Sequence, residues 1–251
     1  MMCVYKPVGL SPLQALEKFR VKYPNFAQSR LGYAGRLDPM AEGLLLVLTD
    51  ASTEAQEELS RLDKTYEVEC VFGLASDSYD ALGLAKSCSC DMPFEEDVAG
   101  AVTAMVGTID QTYPPYSAVR VGGHPLYWWA RRNRLDEVEV PHKQRHIYAA
   151  DIMGIKLVNS STLSTFIQQR VGLVQGDFRQ QDILERWGDV LKIERDFMQV
   201  RLRVSCSSGT YVRSLVHELG NTLGCGALAL GIIRTHVGDF TLKDCLKLES
   251  D

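Results

Sequence analysis

The first candidate for chemistry is Asp38, an acid within a glycine-rich stretch at residues 32–43. Three glycines and a proline in this stretch predict a shaped loop, because glycine permits unusual backbone angles and proline lacks an amide donor. The loop leads into the apolar run 44–48, so Asp38 is expected beside the core and only partly in water. A working carboxylate suits that environment. The Asp38–Pro39 pair equally suits a simple turn, which is the commoner role of such pairs.

A second candidate is Arg213, in the first turn of a helix predicted to follow Ser207-Ser208-Gly209. The apolar stripe of that helix contains Val212, Leu215 and Val216, and Arg213 is predicted to lie off it. A cation at a helix N-terminus opposes the helix dipole and costs about a few tenths of a kcal/mol. Arg213 is therefore expected to have a carboxylate or phosphate partner.

A third candidate is a stretch in which basic and aromatic side chains alternate. Its members are Arg120, His124, Arg131, Arg132 and Arg134 with Tyr116, Tyr127, Trp128 and Trp129. Such a mixture suits single-stranded or looped nucleic acid, whose phosphates need cations and whose unstacked bases need flat partners. A solvated helix face with inward-packed aromatics is the alternative.

Metal sites are not indicated. Asp77 and Asp80, in a serine-rich loop, are expected to make side-chain-to-backbone turns rather than to hold a metal. The seven cysteines are scattered, and Cys88 and Cys90 lack the second pair that a zinc site needs. Reduced thiols are expected.

Composition sets the limits for these candidates. With 251 residues and 45% apolar content, the chain can form one large domain, or one domain with a small insertion. A net charge of -5 argues mildly against a partner made of phosphate alone. The sequence has no apolar run of about 18 residues and no secretory signal pattern, so a cytosolic or organellar-matrix location is expected.

Helix and strand patterns provide the scaffold. Ser11, Pro12 and Gln14 form a capping-box signature that predicts a helix to about Tyr23. Strands are predicted at 44–48, 64–72, 117–121, 146–157 and 198–206, and further helices at 51–62, around 98–105, at 126–132 and at 212–223. Residues 159–189 break this rhythm with a helical pattern and are interpreted as an insertion.

Six motifs in a fixed order carry a family resemblance. They are Lys6-Pro7-Val8-Gly9, residues 35–43 (GRLDPMAEG), Lys64-Thr65-Tyr66, Tyr116-Ser117-Ala118, residues 209–213 (GTYVR) and residues 223–227 (LGCGA). Each is weak alone, but in this order they resemble the TruB family of pseudouridine synthases, which modify the uridine at position 55 in the T-loop of tRNA. The likeness covers about residues 6–132 and 200–235.

The resemblance implies an α+β protein with the pseudouridine synthase fold, in which helices and loops flank a central mixed, mostly antiparallel sheet. It implies one catalytic domain over residues 1–251, with an RNA-gripping insertion at 113–143 and the extra segment 159–189 of unknown role. After Thr235 no room is expected for the C-terminal RNA-binding PUA domain that is common in the family.

The implied activity isomerises uridine by breaking the N-glycosidic bond, turning the uracil and rejoining it to the sugar through carbon. No redox step, cofactor or metal is needed. Asp38 matches the family's catalytic aspartate, and whether it attacks the base, attacks the ribose or removes a ribose proton stays open. Tyr66 matches the aromatic residue that stacks on the uracil and helps to take the C5 proton. Arg213 matches the arginine that pairs with the aspartate.

RNA-binding residues follow from the same likeness. Tyr66, Tyr211 and Ile232 are expected to fill the site of the extruded base. Tyr116, Arg120, Arg131 and Arg132 match the RNA-gripping insertion.

Two further RNA-site candidates lie near the N-terminus. Lys6 is expected to support the active-site loop, with a plain strand-to-turn anchor as an equal alternative. Tyr33 stands where the family usually has a histidine that contacts RNA beside the flipped base. It is expected to stack there or to alter substrate choice.

The expected partner is the T-arm of tRNA, bound by a cytoplasmic monomer with no membrane association and no obligatory protein partner. Two alternatives remain at this point. One is a non-catalytic RNA-binding or tRNA-folding module derived from the family, and the other is a guide-RNA-dependent synthase resembling dyskerin.

Overall fold

One long mixed sheet runs through the molecule. The computed structural model describes residues 1–88 and 91–248, so Cys90 of the Cys88–Cys90 pair lies outside the described residues. The strands are β1 (Met2–Lys6), β2 (Leu31–Ala34), β3 (Ala41–Thr49), β4 (Lys64–Phe72), β5 (Leu74–Ser76), β6 (Ala85–Ser87), β7 (Gly107–Thr112), β8 (Arg120–Val121), β9 (His124–Pro125), β10 (His142–Asn159), β11 (Asp196–Cys206), β12 (Ala227–Val237), β13 (Phe240–Thr241) and β14 (Leu246–Lys247).

The main sheet has the strand order β14-β1-β3-β12-β4-β11-β10-β7, with β2 added to β3 and β13 to β12. Within the described chain its pairs are antiparallel, except that β1 pairs with β14 and β12 with β3 in parallel. Two small hairpins, β5–β6 and β8–β9, lie outside it. The prediction of an α+β fold with a mixed, mostly antiparallel sheet is therefore confirmed.

Helices cover both faces of this sheet. They are α1 (Pro12–Lys22), α2 (Gln56–Ser60), α3 (Glu95–Ala104), α4 (Leu126–Ala130), α5 (Ser160–Gly172), α6 (Gln180–Val190) and α7 (Val212–Thr222). Because side chains alternate along a strand, Val68 and Cys70 of β4 pack in the cluster that contains α3 and α7, whereas Val71 packs with α5 and α6. The sheet thus separates two helical layers. Among the described residues no helix is both long and apolar enough to cross a membrane.

Several local predictions are confirmed. Ser11 caps α1 through the predicted capping box with Gln14. The strand predicted at 64–72 is β4, and the one predicted at 198–206 is β11, which begins at Asp196. The apolar stripe of the last helix is buried, as Val212, Leu215 and Val216 show.

Other predictions need correction. The loop predicted at 32–43 is shorter, because β2 extends to Ala34 and β3 begins at Ala41. The helix predicted at 51–62 is a 3-10 turn at Asp50–Ala55 followed by the five-residue α2, since Asp50 adopts a left-handed φ of 49° and Thr49 caps a tight turn with Ser52.

The middle of the chain also differs from prediction. Only Arg120–Val121 of the strand predicted at 117–121 is paired. The helix predicted at 126–132 ends at Ala130, and Asn133 turns away with a φ of 55°. Conversely, the strand predicted at 146–157 is longer and extends from His142 to Asn159. Its first residues, 142–147, pair with β7. Bulges after Ile147 and Ile152 interrupt the alternation of side chains by which a strand is recognised in the sequence.

Candidate active site

The Asp38 loop, residues 35–40, connects two neighbouring strands and is fixed at both ends. The amide of Ala41 donates to the Asp38 carbonyl (3.0 Å), and the amide of Gly9 donates to the Pro39 carbonyl (2.8 Å). At the start of β3, Gly43 has a φ of +105°, and a Cβ there would lie 2.4 Å from the Arg234 carbonyl oxygen. Only glycine permits this close approach of β3 to β12. The loop is thus a defined turn whose position is set by strand pairing.

Asp38 forms an ion pair with Arg213. The Nε atom of Arg213 lies 2.9 Å from Oδ2 of Asp38. The other guanidinium nitrogens donate to the carbonyls of Ser78 (2.7 Å) and Tyr116 (2.9 Å). Arg213 is 2% exposed, whereas the Asp38 side chain keeps 28% exposure. As predicted, Arg213 lies off the apolar stripe and has an anionic partner, but its burial was not predicted. A charge-assisted pair of this kind fixes the direction of the carboxylate.

A second acid, Asp80, interacts electrostatically with both members of this pair. Sequence analysis did not predict this interaction. Its Oδ1 accepts hydrogen bonds from Ser78 Oγ (2.6 Å) and from the amide of Leu82 (3.0 Å), which confirms the predicted side-chain-to-backbone turn. Burial raises the pKa of Asp80 to about 6; the Asp38 charge adds to this rise, whereas Arg213 and the bond from Ser78 oppose it. The Ser78-x-Asp80 spacing indicated the turn but carried no signal for the nearby arginine.

Tyr66, on β4, lines a cavity of about 350 Å³ together with Asp38, Arg213 and Ile232. The phenol is largely buried, and this burial raises its pKa against the opposing charge of Arg234. Arg234 lies opposite Tyr66 in the β4–β12 register. The structure thus places an aromatic ring and a carboxylate at one cavity, where a flat base can meet both.

Arg234 is a functional candidate that sequence analysis did not identify. It is fully buried and donates to the carbonyls of Leu44 (2.8 Å), Arg36 (3.1 Å) and Gly35 (3.1 Å). Its guanidinium therefore holds the start of the Asp38 loop and the first residues of β3. The available signal was its spacing, since Arg234 shares a strand face with Ile232 and so must point toward the site.

Tyr211 and Tyr33 complete the walls of this cavity. Gln111 holds Tyr211 in place by accepting from its amide (2.8 Å) and donating to its carbonyl (3.1 Å). Tyr33 is half-buried at the rim, packed against the cluster formed by β1, β3 and α1. Thus Asp38, Tyr66, Arg213, Tyr33, Tyr211 and Ile232 meet around one cavity.

A second cavity of about 330 Å³ lies on the other side of Asp38. Its lining includes Tyr116 and Arg131, two of the residues predicted to bind RNA, and Arg179 from the segment of unknown role. The Tyr116 hydroxyl donates to Asp77 (2.8 Å), and Arg131 donates to the Asp177 carbonyl (2.6 Å). Asp38 and Arg213 border both cavities.

The remaining predicted RNA-binding residues do not line either cavity. Arg120 and Arg132 are exposed and bond to carbonyls of their own segment, those of Gly123 (2.5 Å) and Trp128 (3.3 Å). The Arg132 guanidinium also lies 4.1 Å from the Trp128 ring centroid. Only Trp129 packs inward as the alternative interpretation expects, so the segment keeps an exposed basic and aromatic surface.

The expectation that Lys6 binds RNA is wrong. Lys6 is 0% exposed, and its ammonium donates to the carbonyls of Pro7 (2.9 Å) and Leu10 (2.7 Å). Burial lowers the pKa of Lys6 to about 7, against the opposing charges of Asp38 and Glu42. Lys6 instead folds the 6–10 turn, whose Gly9 amide bonds to the Asp38 loop. This contact agrees with the expected support of the active-site loop.

Comparisons with known proteins agree with this geometry. Residues 23–172 match the TruB family pseudouridylate synthase (N terminal domain). The chain is 33% identical over 250 residues to the tRNA pseudouridine synthase B of Opitutus terrae, covering 99% of this chain and 85% of that protein. It is 32% identical to the tRNA pseudouridine synthase B of Ralstonia pickettii, covering 98% of this chain and 64% of that protein.

Among solved structures, a chain of the Cbf5-Nop10-Gar1 complex matches with a TM-score of 0.61 and 20% identity. The match covers 98% of this chain and 51% of that one. An H/ACA RNP bound to a substrate RNA containing 2'-deoxyuridine matches with a TM-score of 0.59 and 19% identity. At these identities the likeness shows a shared fold.

Proposed function

Because this chain belongs to the TruB family of pseudouridylate synthases, we propose that it isomerises uridine to pseudouridine in tRNA, at position 55 of the T-loop. The observation that carries the proposal is the Asp38–Arg213 pair, which holds a partly exposed carboxylate between two cavities beside Tyr66. An intact pair of this kind favours an enzyme over a non-catalytic RNA-binding module.

The reaction needs no electron donor or acceptor, because the same uracil leaves through N1 and returns through C5. The target base is extruded from the folded RNA into the cavity lined by Tyr66, Tyr211 and Ile232, whose flat and apolar surfaces replace stacking in the T-loop. Asp38 then acts on the base or on the ribose as the N1–C1' bond breaks, at the one place where a carboxylate faces this cavity among the described residues. C5 then bonds to C1', the proton on C5 is lost and N1 gains a proton, so that the atoms balance. Tyr66, which lines the same cavity, is the candidate to assist removal of the C5 proton.

Electrostatics favour this role. Arg213 is held by three acceptors, so its charge cannot turn away when RNA binds. Preorganised charge in a partly buried site is worth more than the same charge in water, because no reorganisation is needed during the reaction. Arg213 therefore keeps the Asp38 carboxylate aimed at the nucleoside.

The T-arm itself is bound by the exposed surface of residues 113–143, through Arg120, Arg131, Arg132 and the ring of Tyr116. The protein works in this proposal as a cytoplasmic monomer that needs no partner protein. Activity on unpartnered tRNA separates it from a guide-RNA-dependent synthase.

The test is release of tritium from a T-loop transcript labelled at uracil C5. Wild-type protein should release one tritium per pseudouridine formed, whereas Asp38→Asn should abolish release without changing the thermal melting temperature. Asp189→Asn, an exposed acid at the end of α6, is the matched control and should behave as wild type. If no tRNA or stem-loop yields tritium, the proposal is wrong.

A further inference from the structure

The helical segment, residues 160–190, comprises α5, α6 and the turn between them, and it touches the active site at three separate places. The first is Arg170 on α5. Its Nη2 atom donates to the Met40 carbonyl (3.2 Å) and to Glu42 Oε1 (3.1 Å). Tyr5 donates to the other oxygen of Glu42 (2.7 Å). Arg170 thus connects α5 to the C-terminal end of the Asp38 loop.

The second contact is made by backbone atoms of the turn that follows α5. The amide of Gln175 donates to the Gly9 carbonyl (3.0 Å), and the amide of Gly9 donates to the Pro39 carbonyl (2.8 Å). A Cβ at Gly9 would lie 2.1 Å from the Leu173 carbonyl oxygen, and Gly9 has a φ of +91°. These two backbones are therefore in direct contact, and they link the helical segment to the residue that follows Asp38.

The third contact runs through Arg179, at the start of α6. Both terminal nitrogens of Arg179 lie 3.1 Å from Asp77 Oδ2, which also accepts from the Tyr116 hydroxyl (2.8 Å). The Arg179 guanidinium lies 4.7 Å from the centroid of the Tyr116 ring. The carbonyl of Tyr116 in turn accepts from Arg213 (2.9 Å). Arg179 therefore fixes the residue that holds the partner of Asp38.

The helical segment is firmly anchored behind these contacts. Trp187 of α6 is fully buried, and its ring nitrogen donates to the Ala81 carbonyl (3.1 Å), one residue after Asp80. Leu163, Ile167 and Ile183 are also buried in the same cluster. Because its apolar face is packed against the sheet, the segment can hold a loop in place.

Charge pairing argues against a direct phosphate contact by this segment. Arg170 and Arg179 are each paired with an acid, Glu42 and Asp77 respectively. Their side chains are also only 17% and 21% exposed, so neither charge is freely available to an RNA phosphate. Both arginines instead contact residues that hold the site. Arg170 donates to the Met40 carbonyl in the Asp38 loop. Arg179 donates to Asp77, which is bonded to Tyr116, and the Tyr116 carbonyl accepts from Arg213.

We propose that the helical segment is a positioning element for catalysis, in which Arg170 orients the Asp38 loop and Arg179 orients Arg213 through Asp77 and Tyr116. This inference rests on the proposed uridine isomerisation. It assigns a role to a part of the chain outside the family motifs, and it makes the rate of the chemical step depend on residues that touch no RNA.

The test compares Arg179→Gln, Arg179→Lys and Arg170→Gln with the control Arg195→Gln. Arg195 makes a similar set of contacts away from both cavities, to the Gly73 carbonyl (3.2 Å), to Ser87 (2.8 Å) and over the Phe197 ring. Single-turnover tritium release gives the rate of the chemical step, and filter binding gives the Kd for tRNA. Thermal melting confirms that each variant is folded.

Arg179→Gln and Arg170→Gln should each lower the single-turnover rate about tenfold to a hundredfold, because small displacements of a reacting group are costly. The Kd for tRNA should stay within about twofold of wild type, as expected for residues that act only on the transition state. Arg179→Lys should recover part of the rate, since it keeps the charge opposite Asp77 but loses the contact of two nitrogens with Asp77 Oδ2. The control should match wild type in both quantities.

An unchanged single-turnover rate in folded Arg179→Gln and Arg170→Gln would overturn the inference. A weaker Kd with an unchanged rate would also overturn it, and would make the segment an RNA-binding surface. If wild-type protein releases no tritium from any RNA, the proposed function fails, and amide hydrogen exchange then decides the inference. Arg170→Gln should speed exchange of the Ala41 amide, which donates to the Asp38 carbonyl, about tenfold; equal rates would overturn it.

Discussion

Two groups of cations in this protein have similar chemistry but opposite surroundings. Arg213, Arg234 and Lys6 are buried around the Asp38 loop, and each donates to backbone carbonyls in or beside the site. Arg120 and Arg132, in residues 113–143, are exposed and bond only to carbonyls of their own segment. A buried cation fixes the geometry of its neighbours, whereas an exposed one remains available to a phosphate. In the proposed function, burial is therefore expected to separate the cations that set the rate from the cations that set the affinity for RNA.

The largest expected effect is at Arg213. Arg213→Lys keeps the positive charge but cannot reach Asp38 and two carbonyls at once, because the ammonium lacks the planar fork of the guanidinium. We expect the single-turnover rate of tritium release to fall about a hundredfold to a thousandfold, the usual effect of losing a preorganised hydrogen-bond donor. The Kd for tRNA should change little. If Arg213→Lys instead raises the Kd for tRNA and leaves the rate unchanged, this buried arginine acts on RNA affinity. The buried and exposed cations would then not differ in function.

The pH dependence of stability tests the buried group independently of RNA. Burial raises the folded-state pKa of Asp80 from its ordinary value of 3.8 to about 6. The folded state therefore binds the proton of Asp80 more tightly than the unfolded state does. Asp80 stabilises the folded protein fully below about pH 4, and this stabilisation is lost as the pH rises to about 6.

Between those pH values, wild type should lose up to about 3 kcal/mol of unfolding free energy relative to Asp80→Asn, whose side chain does not titrate. Urea denaturation at several pH values measures this difference. If the unfolding free energies of the two proteins change in parallel with pH, Asp80 has the same pKa in the folded protein as in water. That result would contradict the prediction.

Substitution of the exposed arginines should change the affinity for tRNA and not the rate, which is the opposite of the effect expected at Arg213. Arg120→Gln and Arg132→Gln should each weaken tRNA binding by about threefold to tenfold at low salt and reduce the salt slope by about one. Their single-turnover rates at saturating tRNA should remain those of wild type. Lys192→Gln, an exposed cation outside residues 113–143, serves as control. A lower rate at saturation would move these arginines into the positioning group.

The smallest effect is expected at Tyr33, which lies on the border between the two groups. Its ring is half-buried at the cavity rim, and no hydrogen bond from its hydroxyl is found among the described residues. Tyr33→Phe should therefore leave kcat/KM within about twofold, if the ring acts by stacking on a base. A larger loss would show that the hydroxyl contacts RNA, as a polar substitute for the family histidine.

Sequence patterns identified the parts of the site that depend on local structure. The glycine-rich loop made Asp38 a candidate, and the place of Arg213 at a helix start indicated its need for an anion. Both signals arise within about ten residues of chain, as do the patterns that predicted individual strands and capped helices. The role of Tyr66 and the α+β fold were implied only by the family resemblance, which depends on motifs spread along the whole chain.

What the sequence did not indicate depends on contacts between distant segments. The burial of Arg234 and Lys6 follows from the pairing of β3 with β12 and with β1, which no local pattern specifies. The electrostatic interaction of Asp80 with Arg213 exists only because a helix more than a hundred residues away brings Arg213 beside it. Likewise, the contacts of Arg170 and Arg179 with the site exist only once α5 and α6 have packed on the sheet.

The ion pair at the centre of the site also has a consequence for the time course of folding. Asp38 and Arg213 are 175 positions apart, and the bond between Arg234 and the Leu44 carbonyl spans 190. Contacts over such distances close large loops and form late, after local helices and hairpins. During synthesis, Asp38 therefore emerges 175 residues before its partner Arg213 and stays without it over that length of chain. The protein gains its active site only when the middle of the sheet is complete, so recovery of activity on refolding reports the end of assembly.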